Sequence, residues 1–344
     1  MIRIALALTA LLMFAGCGEK AEPSATGGKT EKLKVMLDWY PNADHAGLYA
    51  AQASGEYERA GLDVEFVPPP DAAAPLKLVQ AGRVDLAISY EPDVLLARDQ
   101  GADVVAVGAL VQKPLTSLMS LGGDKAITDP KQLAGKTVGT AGIPYQSAYL
   151  KTILDKAGVN PDSVKEVNVG FKLTQAMLSK KVDATIGAFW NVEGVQLEQA
   201  GRKPHVLRME DVGVPTYDEL VLAAARDSLD TAGGSKVRRF LQATARGYQM
   251  VKEDPQTGID ALLEANRDLD QKLTGASVKA TVPVFFPEDG ERPFGWQEPA
   301  QWAAYEKWMR SNGLLKPPEP GERPPLTNEF LPGEGLDQGT SGLE

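Results

Sequence analysis

The chain is 344 residues long, 43% hydrophobic, with a formal net charge of −10. That length favours about two domains, and an acidic chain with no basic stripe excludes a nucleic-acid partner, because phosphate contacts need clustered Lys and Arg. One cysteine and two histidines exclude both a disulfide framework and a zinc cluster.

Met1-Ile2-Arg3 gives a short positive start, and the apolar run from Ile4 to Phe14 is too short to span a bilayer at about 20 residues per helix. Residues 1–16 therefore read as an export signal. Phe14-Ala15-Gly16-Cys17 resembles a bacterial lipobox, although leucine is commoner than Phe at its first position. The alternative is a soluble secreted protein with an unpaired thiol. Acylation of Cys17 would anchor the protein through lipid alone. Residues 17–31, small and polar, read as a flexible tether.

From Lys32 the chain alternates strand-length apolar runs with helix-length segments. Lys32 to Leu37, Asp63 to Val67, Leu86 to Ser89 and Val104 to Leu110 are predicted strands. Leu48 to Ala60, Ala73 to Ala81 and Pro92 to Gln100 are predicted helices, the first stopping at Gly61. A second unit begins near Thr116, with strands at Thr137 to Gly139, Val164 to Val169, Ala184 to Ile186 and His205 to Arg208. Its helices start near Tyr145, Leu173 and Val192. The alternation implies α/β architecture: mostly parallel sheets flanked by helices, with ligands held at the carboxyl ends of strands. Leu115 to Ser120 and Glu219 to Ala223 read as two extended crossovers between the units, and two crossovers imply a hinge and a cleft. The predicted partition is 32–115 plus 222–315 for one domain and 116–221 for the other. Later helices carry one-faced stripes (Val237, Phe240, Leu241, Thr244, Tyr248 and Val251; Trp302, Tyr305 and Trp308-Met309) that read as core. Residues 316–344 form a Pro- and Gly-rich tail expected to cover the surface or stay disordered.

Two loops concentrate polar and aromatic groups. Leu37-Asp38-Trp39-Tyr40-Pro41-Asn42-Ala43-Asp44-His45-Ala46-Gly47-Leu48 follows the first strand. Gly187-Ala188-Phe189-Trp190-Asn191-Val192-Glu193-Gly194 follows a strand of the second unit. Such loops suit a flat, nitrogen-rich ring, which a carboxyl group can meet edge-on while aromatics stack on its faces. Asp38 and Glu193 are candidates for the polar edge, with Trp39, Tyr90, Tyr145, Phe189 and Trp190 as walls. Packing alone accounts for one of Phe189 and Trp190. Asn42 and Gln146 are candidates for fixing substituents; Ser89 and Ser147 are weaker ones. His45 either joins the site or caps the next helix, and His205 belongs to structure. Gly139 to Pro144 invites a phosphate-cradle reading, but it lacks the Walker lysine and a full dinucleotide fingerprint. A loop approaching a neutral ligand fits better.

The first loop resembles the Leu-Asp-Trp-x-Pro-Asn segment, followed by His and Gly, of the thiamine-pyrimidine precursor proteins. The second loop, Val107 to Gln112, Val167 to Phe171 and Glu210 to Pro215 resemble that family too. The likeness runs from about Lys34 to Ala224 and fades over the C-terminal helices. It implies a bilobed receptor of the type II periplasmic-binding-protein fold, without cofactor, which closes on a formylated aminopyrimidine and passes it to an ABC permease and its ATPase. The receptor would be an exported monomer facing outside or the periplasm. Riboflavin is the alternative ligand. The fungal branch makes the pyrimidine with a cysteine cluster and lysine-bound pyridoxal phosphate; here the cluster is missing, so an enzyme is the remote reading. Asp38→Asn and Glu193→Gln are expected to weaken binding while leaving the melting temperature of the empty protein nearly unchanged.

Overall fold

The computed structural model describes residues 30–287, 290 and 292–333. The signal segment, Cys17 and most of the tether lie outside the described residues, as does the tail beyond Gly333. The first half-chain runs β1 (Glu31–Met36), α1 (Ala46–Ala53), α2 (Glu56–Arg59), β2 (Leu62–Val67), α3 (Pro75–Gln80), β3 (Leu86–Ser89), α4 (Glu91–Asp99) and β4 (Val104–Val111). The single helix expected from Leu48 to Ala60 is broken at Gly55, whose φ of +76° ends one helix and starts another; Gly61 is the left-handed stop as expected, at φ +71°.

The second sheet follows with β5 (Thr116–Leu121), β6 (Thr137–Thr140), α5 (Pro144–Ala157), β7 (Lys165–Asn168), α6 (Leu173–Leu178), β8 (Ala184–Phe189), α7 (Glu193–Gln199) and β9 (Pro204–Arg208). The chain returns through β10 (Leu220–Ala225) and ends in α8 (Thr231–Glu253), α9 (Pro255–Ala265), α10 (Gln271–Thr281) and α11 (Pro299–Ser311). The sheets are five-stranded, in the orders β2-β1-β3-β10-β4 and β7-β6-β8-β5-β9.

Each sheet contains one reversed strand, and in both it is the first strand after a crossing: β5 is antiparallel to β8 and β9, and β10 to β3 and β4. The reason is topological. β4 and β9 end at the cleft, so the next strand starts there and runs opposite to its neighbours. The stretches Leu115 to Ser120 and Glu219 to Ala223, expected to be crossovers, therefore lie mostly within central strands hydrogen-bonded on both sides. The connections proper are 112–115 and 209–219. A continuous apolar run looks alike in either role, and only distant pairing partners separate them.

Strands β3, β4 and β10 are buried along their whole length, as strands covered on both faces must be. The stripe of α8 is buried, and Trp302, Tyr305 and Met309 of α11 are too, with Tyr305 meeting the Tyr217 ring and Trp308 the Tyr149 ring. The described part of the tail docks rather than dangles. Pro325 and Thr327 bond both polar groups of Ala106 on the outer edge of β4, and Phe330 and Leu331 are buried. This covers an open sheet edge that would otherwise invite pairing with another chain.

The two connections are tied to each other by Glu219. Its Oε2 accepts the Leu115 and Thr116 N–H groups, each at 2.7 Å, and the Tyr217 hydroxyl at 3.0 Å, while Oε1 accepts the Thr116 hydroxyl at 2.9 Å. Burial raises its carboxyl to about 7 against the opposing pull of these hydrogen bonds.

Candidate functional site

The carboxyl ends of β1, β3, β6 and β8 converge on a small cavity between the two sheets. From the first sheet come Asp38, Trp39, Asn42 and Tyr90; from the second come Ile143, Tyr145, Gln146, Leu173, Gly187, Phe189, Val192 and Glu193. Seven of the nine predicted site residues line it. His45 and Trp190 do not.

Asp38 ends the loop-entry side of β1 and is 1% exposed. Its Oδ2 accepts the Tyr90 hydroxyl at 2.9 Å and its Oδ1 lies 2.8 Å from His45 Nε2. Because His45 Nδ1 accepts the Asn42 N–H at 3.2 Å, the ring proton sits on Nε2 and points at Asp38. His45 thus stands behind the carboxylate and orients it, while also closing the capping box of the turn Ala43–His45. Burial, then the neighbouring Asp38 charge, push the Tyr90 phenol well above its ordinary range, so it stays a donor.

Glu193 opens α7 on the other side. Its Oε2 accepts the Phe189 N–H at 2.8 Å. Burial raises its carboxyl to about 7; backbone hydrogen bonds oppose the rise and the facing Asp38 adds to it. Tyr90 and Tyr145 rings meet at 5.3 Å between centroids, and Phe189 stands edge-on to Tyr90 at 6.4 Å, giving three linked walls. At the mouth, Trp39 and Tyr40 of the first loop clasp Phe171 of the second-sheet side, with centroids 4.4 and 4.7 Å away.

Gln146 accepts the Ala141 N–H at 2.7 Å. That bond uses a donor on which an anion cradle over Gly139 to Pro144 would have relied. Gly187, at φ +102°, leaves room for the Gln146 amide: a Cβ there would stand 2.1 Å from Nε2. Asn42 caps its own turn through Oδ1. Ser89 faces Asp93 and Ser147 bonds Glu166 away from the cavity. Trp190 is a packing residue at the crossover, its indole N–H donating to the Pro114 carbonyl at 3.2 Å and its face covered by Arg208 at 4.1 Å. His205 is in β9, outside the cavity. Sequence reasoning passed over Ile143, Leu173 and Val192, for which no local signal exists, and Gly187, which sat inside a motif already marked.

The arrangement presents a carboxyl group with both oxygens held by side chains opposite one held by backbone N–H groups, between aromatic walls. Near neutrality the second group can accept or donate, so the pair suits a flat ring carrying adjacent donor and acceptor atoms.

The profile of the family described as NMT1/THI5 like matches residues 42–258. A formylaminopyrimidine-binding protein of Halalkalibacterium halodurans is 34% identical over 315 residues, covering 90% of this chain and 94% of that protein. A 4-amino-5-hydroxymethyl-2-methylpyrimidine phosphate synthase of Aspergillus parasiticus is 25% identical over 318 residues, covering 88% of each. Among solved structures, the periplasmic aliphatic sulphonate binding protein of Escherichia coli superposes with a TM-score of 0.62 at 17% identity, covering 83% of this chain and 94% of that one. The bilobed α/β architecture is that of the periplasmic binding proteins, and the chain belongs to the NMT1/THI5-like family.

Proposed function

We propose that this protein is the substrate-binding receptor of an ABC importer, closing on a thiamine-derived aminopyrimidine of the formylaminopyrimidine type. The observation that carries the reading is the cavity between the sheets, where Asp38 and Glu193 face one space from opposite sides with Trp39, Tyr90, Tyr145 and Phe189 around it. The likeness to the formylaminopyrimidine-binding protein over nine-tenths of the chain supports the ligand class. A permease and its ATPase would take the ligand onward. Export and lipidation at Cys17 complete the proposal, supported by the charged start, the short apolar run and the small residues before the lone cysteine.

The synthase reading has less support: the lining includes no lysine, and the chain's one cysteine is Cys17. Titration calorimetry with formylaminopyrimidine, thiamine and riboflavin tests the ligand. Tight binding of the first alone is expected; binding of riboflavin alone overturns the ligand, and release of a pyrimidine product on incubation with pyridoxal phosphate overturns the receptor. X-ray scattering with saturating ligand should report a compact particle. Mass spectrometry of the mature protein should find acylated Cys17 at its start.

A further inference from the structure

Behind the cavity, one contact joins the two sheets through side chains that line no part of it. Asp44, in the turn after β1, and Asn191, between β8 and α7, are both buried, and Asn191 Nδ2 donates to Asp44 Oδ1 at 2.6 Å. The same nitrogen donates to Thr281 Oγ1 at 2.7 Å, at the end of α10. Thr281 spends its own hydroxyl proton on the Ser277 carbonyl at 2.8 Å, so towards Asn191 it can only accept. That fixes which end of the Asn191 amide is nitrogen and commits both of its protons.

Two atoms are then left over. Asp44 Oδ2 and Asn191 Oδ1 are buried and have no hydrogen-bond partner among the described residues. An ionised Asp44 would leave both as bare acceptors sealed from water, which is costly for each unsatisfied group. A single proton on Asp44 Oδ2 resolves both at once, because a carboxylic acid and an amide match edge to edge, with the amide N–H on one oxygen and the acid O–H on the amide oxygen. We propose that Asp44 is held as a carboxylic acid and pairs two-point with Asn191, forming a latch that holds the sheets closed over the ligand. Asp44 and Asn191 are thus positioning residues for closure, and the inference rests on the receptor reading only for its effect on affinity.

The surroundings agree with a retained proton. Burial pushes the Asp44 carboxyl well above its usual range, Asp38, Glu193 and Glu219 add to the rise, and the Asn191 hydrogen bond works against it. From α8, the Tyr248 hydroxyl donates to the Asp44 backbone carbonyl at 2.7 Å and leaves the carboxyl untouched. From α10 the neighbours are the neutral Thr281 and Ser277.

The discriminating variant is Asp44→Asn. Two amides pair edge to edge as an acid and an amide do, without a titrating proton. The infrared difference spectrum of the full chain at pH 7, wild type minus Asp44→Asn, recorded with and without saturating formylaminopyrimidine, should show the C=O stretch of a protonated carboxyl in the closed form. A difference confined to carboxylate bands overturns the proposal. Calorimetry with formylaminopyrimidine at pH 6 and pH 9 supplies the second readout. Asp44→Ala and Asn191→Ala should each weaken binding by about tenfold at pH 6. Asp44→Asn should keep wild-type affinity at pH 6 and lose about tenfold less than wild type on going to pH 9. If Asp44→Asn instead weakens binding as Asp44→Ala does, the latch is wrong while the receptor stands. If the wild type ignores formylaminopyrimidine, the ligand assignment falls and the infrared result alone decides the latch.

Discussion

Asp38 and Glu193 are acidic, buried and turned to the same cavity, yet the fold treats them in opposite ways. Asp38 is held at both oxygens by side chains, Tyr90 and His45, that arrive from two other places on its own side. Glu193 is held at one oxygen by a backbone N–H four residues away, and its carboxyl is raised to about 7. The first is a carboxyl group whose two oxygens are positioned by donors before any ligand arrives; the second can hold or release its proton near neutrality. A site with one fixed and one adaptable carboxyl reads a donor on one edge of a ring and tolerates either protonation state on the other.

The comparison breaks most visibly on stability. Asp38→Asn removes one of the two acceptor oxygens that hold the Tyr90 hydroxyl and the His45 N–H, and disrupting a buried hydrogen-bonded pair of this kind costs about 1 to 3 kcal/mol. The empty protein should therefore melt several degrees lower, at about 2 to 4 °C per kcal/mol, as thermal denaturation followed by circular dichroism will show. This corrects the expectation from sequence that the replacement leaves melting unchanged. The burial of Asp38 and its bonds to His45, seven positions on, and Tyr90, 52 positions on, are the reason.

Glu193→Gln should act on binding instead. Loss of the titrating carboxyl weakens formylaminopyrimidine binding by tenfold or more in calorimetry, at ~1.4 kcal/mol per decade. Its carboxyl also carries a pH-dependent share of stability. With the folded carboxyl raised from 4.5 to about 7, the native state holds a proton between those values that the unfolded chain has released. Rising pH therefore removes stability across that window, and the loss is complete above about 7. Glu219 acts in the same direction over a similar range. The melting temperature of the wild type should fall from pH 5 to pH 8, and Glu193→Gln should flatten part of that fall.

The adjacent aromatics sharpen the contrast further. Phe189→Ala opens one wall and should weaken binding by about tenfold, in keeping with the cost of losing a well-packed aromatic contact of ~1 to 1.5 kcal/mol. Trp190→Phe, next to it in sequence, loses its bond to Pro114 and its Arg208 contact but faces no ligand. It should leave affinity within about twofold, by the same calorimetry, and lower the melting temperature slightly. Equal losses in both variants would mean that the cavity wall extends beyond Phe189.

Much of this was legible locally. The alternation of apolar runs, the loops Asp38 to His45 and Gly187 to Glu193, and the strand ends that carry them follow from patterns within a few residues. The sequence even narrowed Phe189 and Trp190 to one wall, though successive residues at a strand end point to different sides only once the strand has neighbours. His45 was ambiguous for a similar reason. Its bond to Asn42 is a local capping box, but its orienting role depends on where Tyr90, 52 positions after Asp38, brings its hydroxyl.

What the sequence by itself determined is the alternating α/β architecture, the chain's two crossings and the two chemical loops, because hydrophobic period and turn chemistry are short-range. Only the tertiary structure decided which polar groups are sealed from water. Nothing near Glu219 announces that it will clasp Leu115 and Thr116 more than 100 positions away, or near Asp44 that Asn191, 147 positions on, will meet it in a dry contact. Burial is set by the whole packed chain, and with it the cost of an unpaired oxygen and the protonation state of every carboxyl around the cleft.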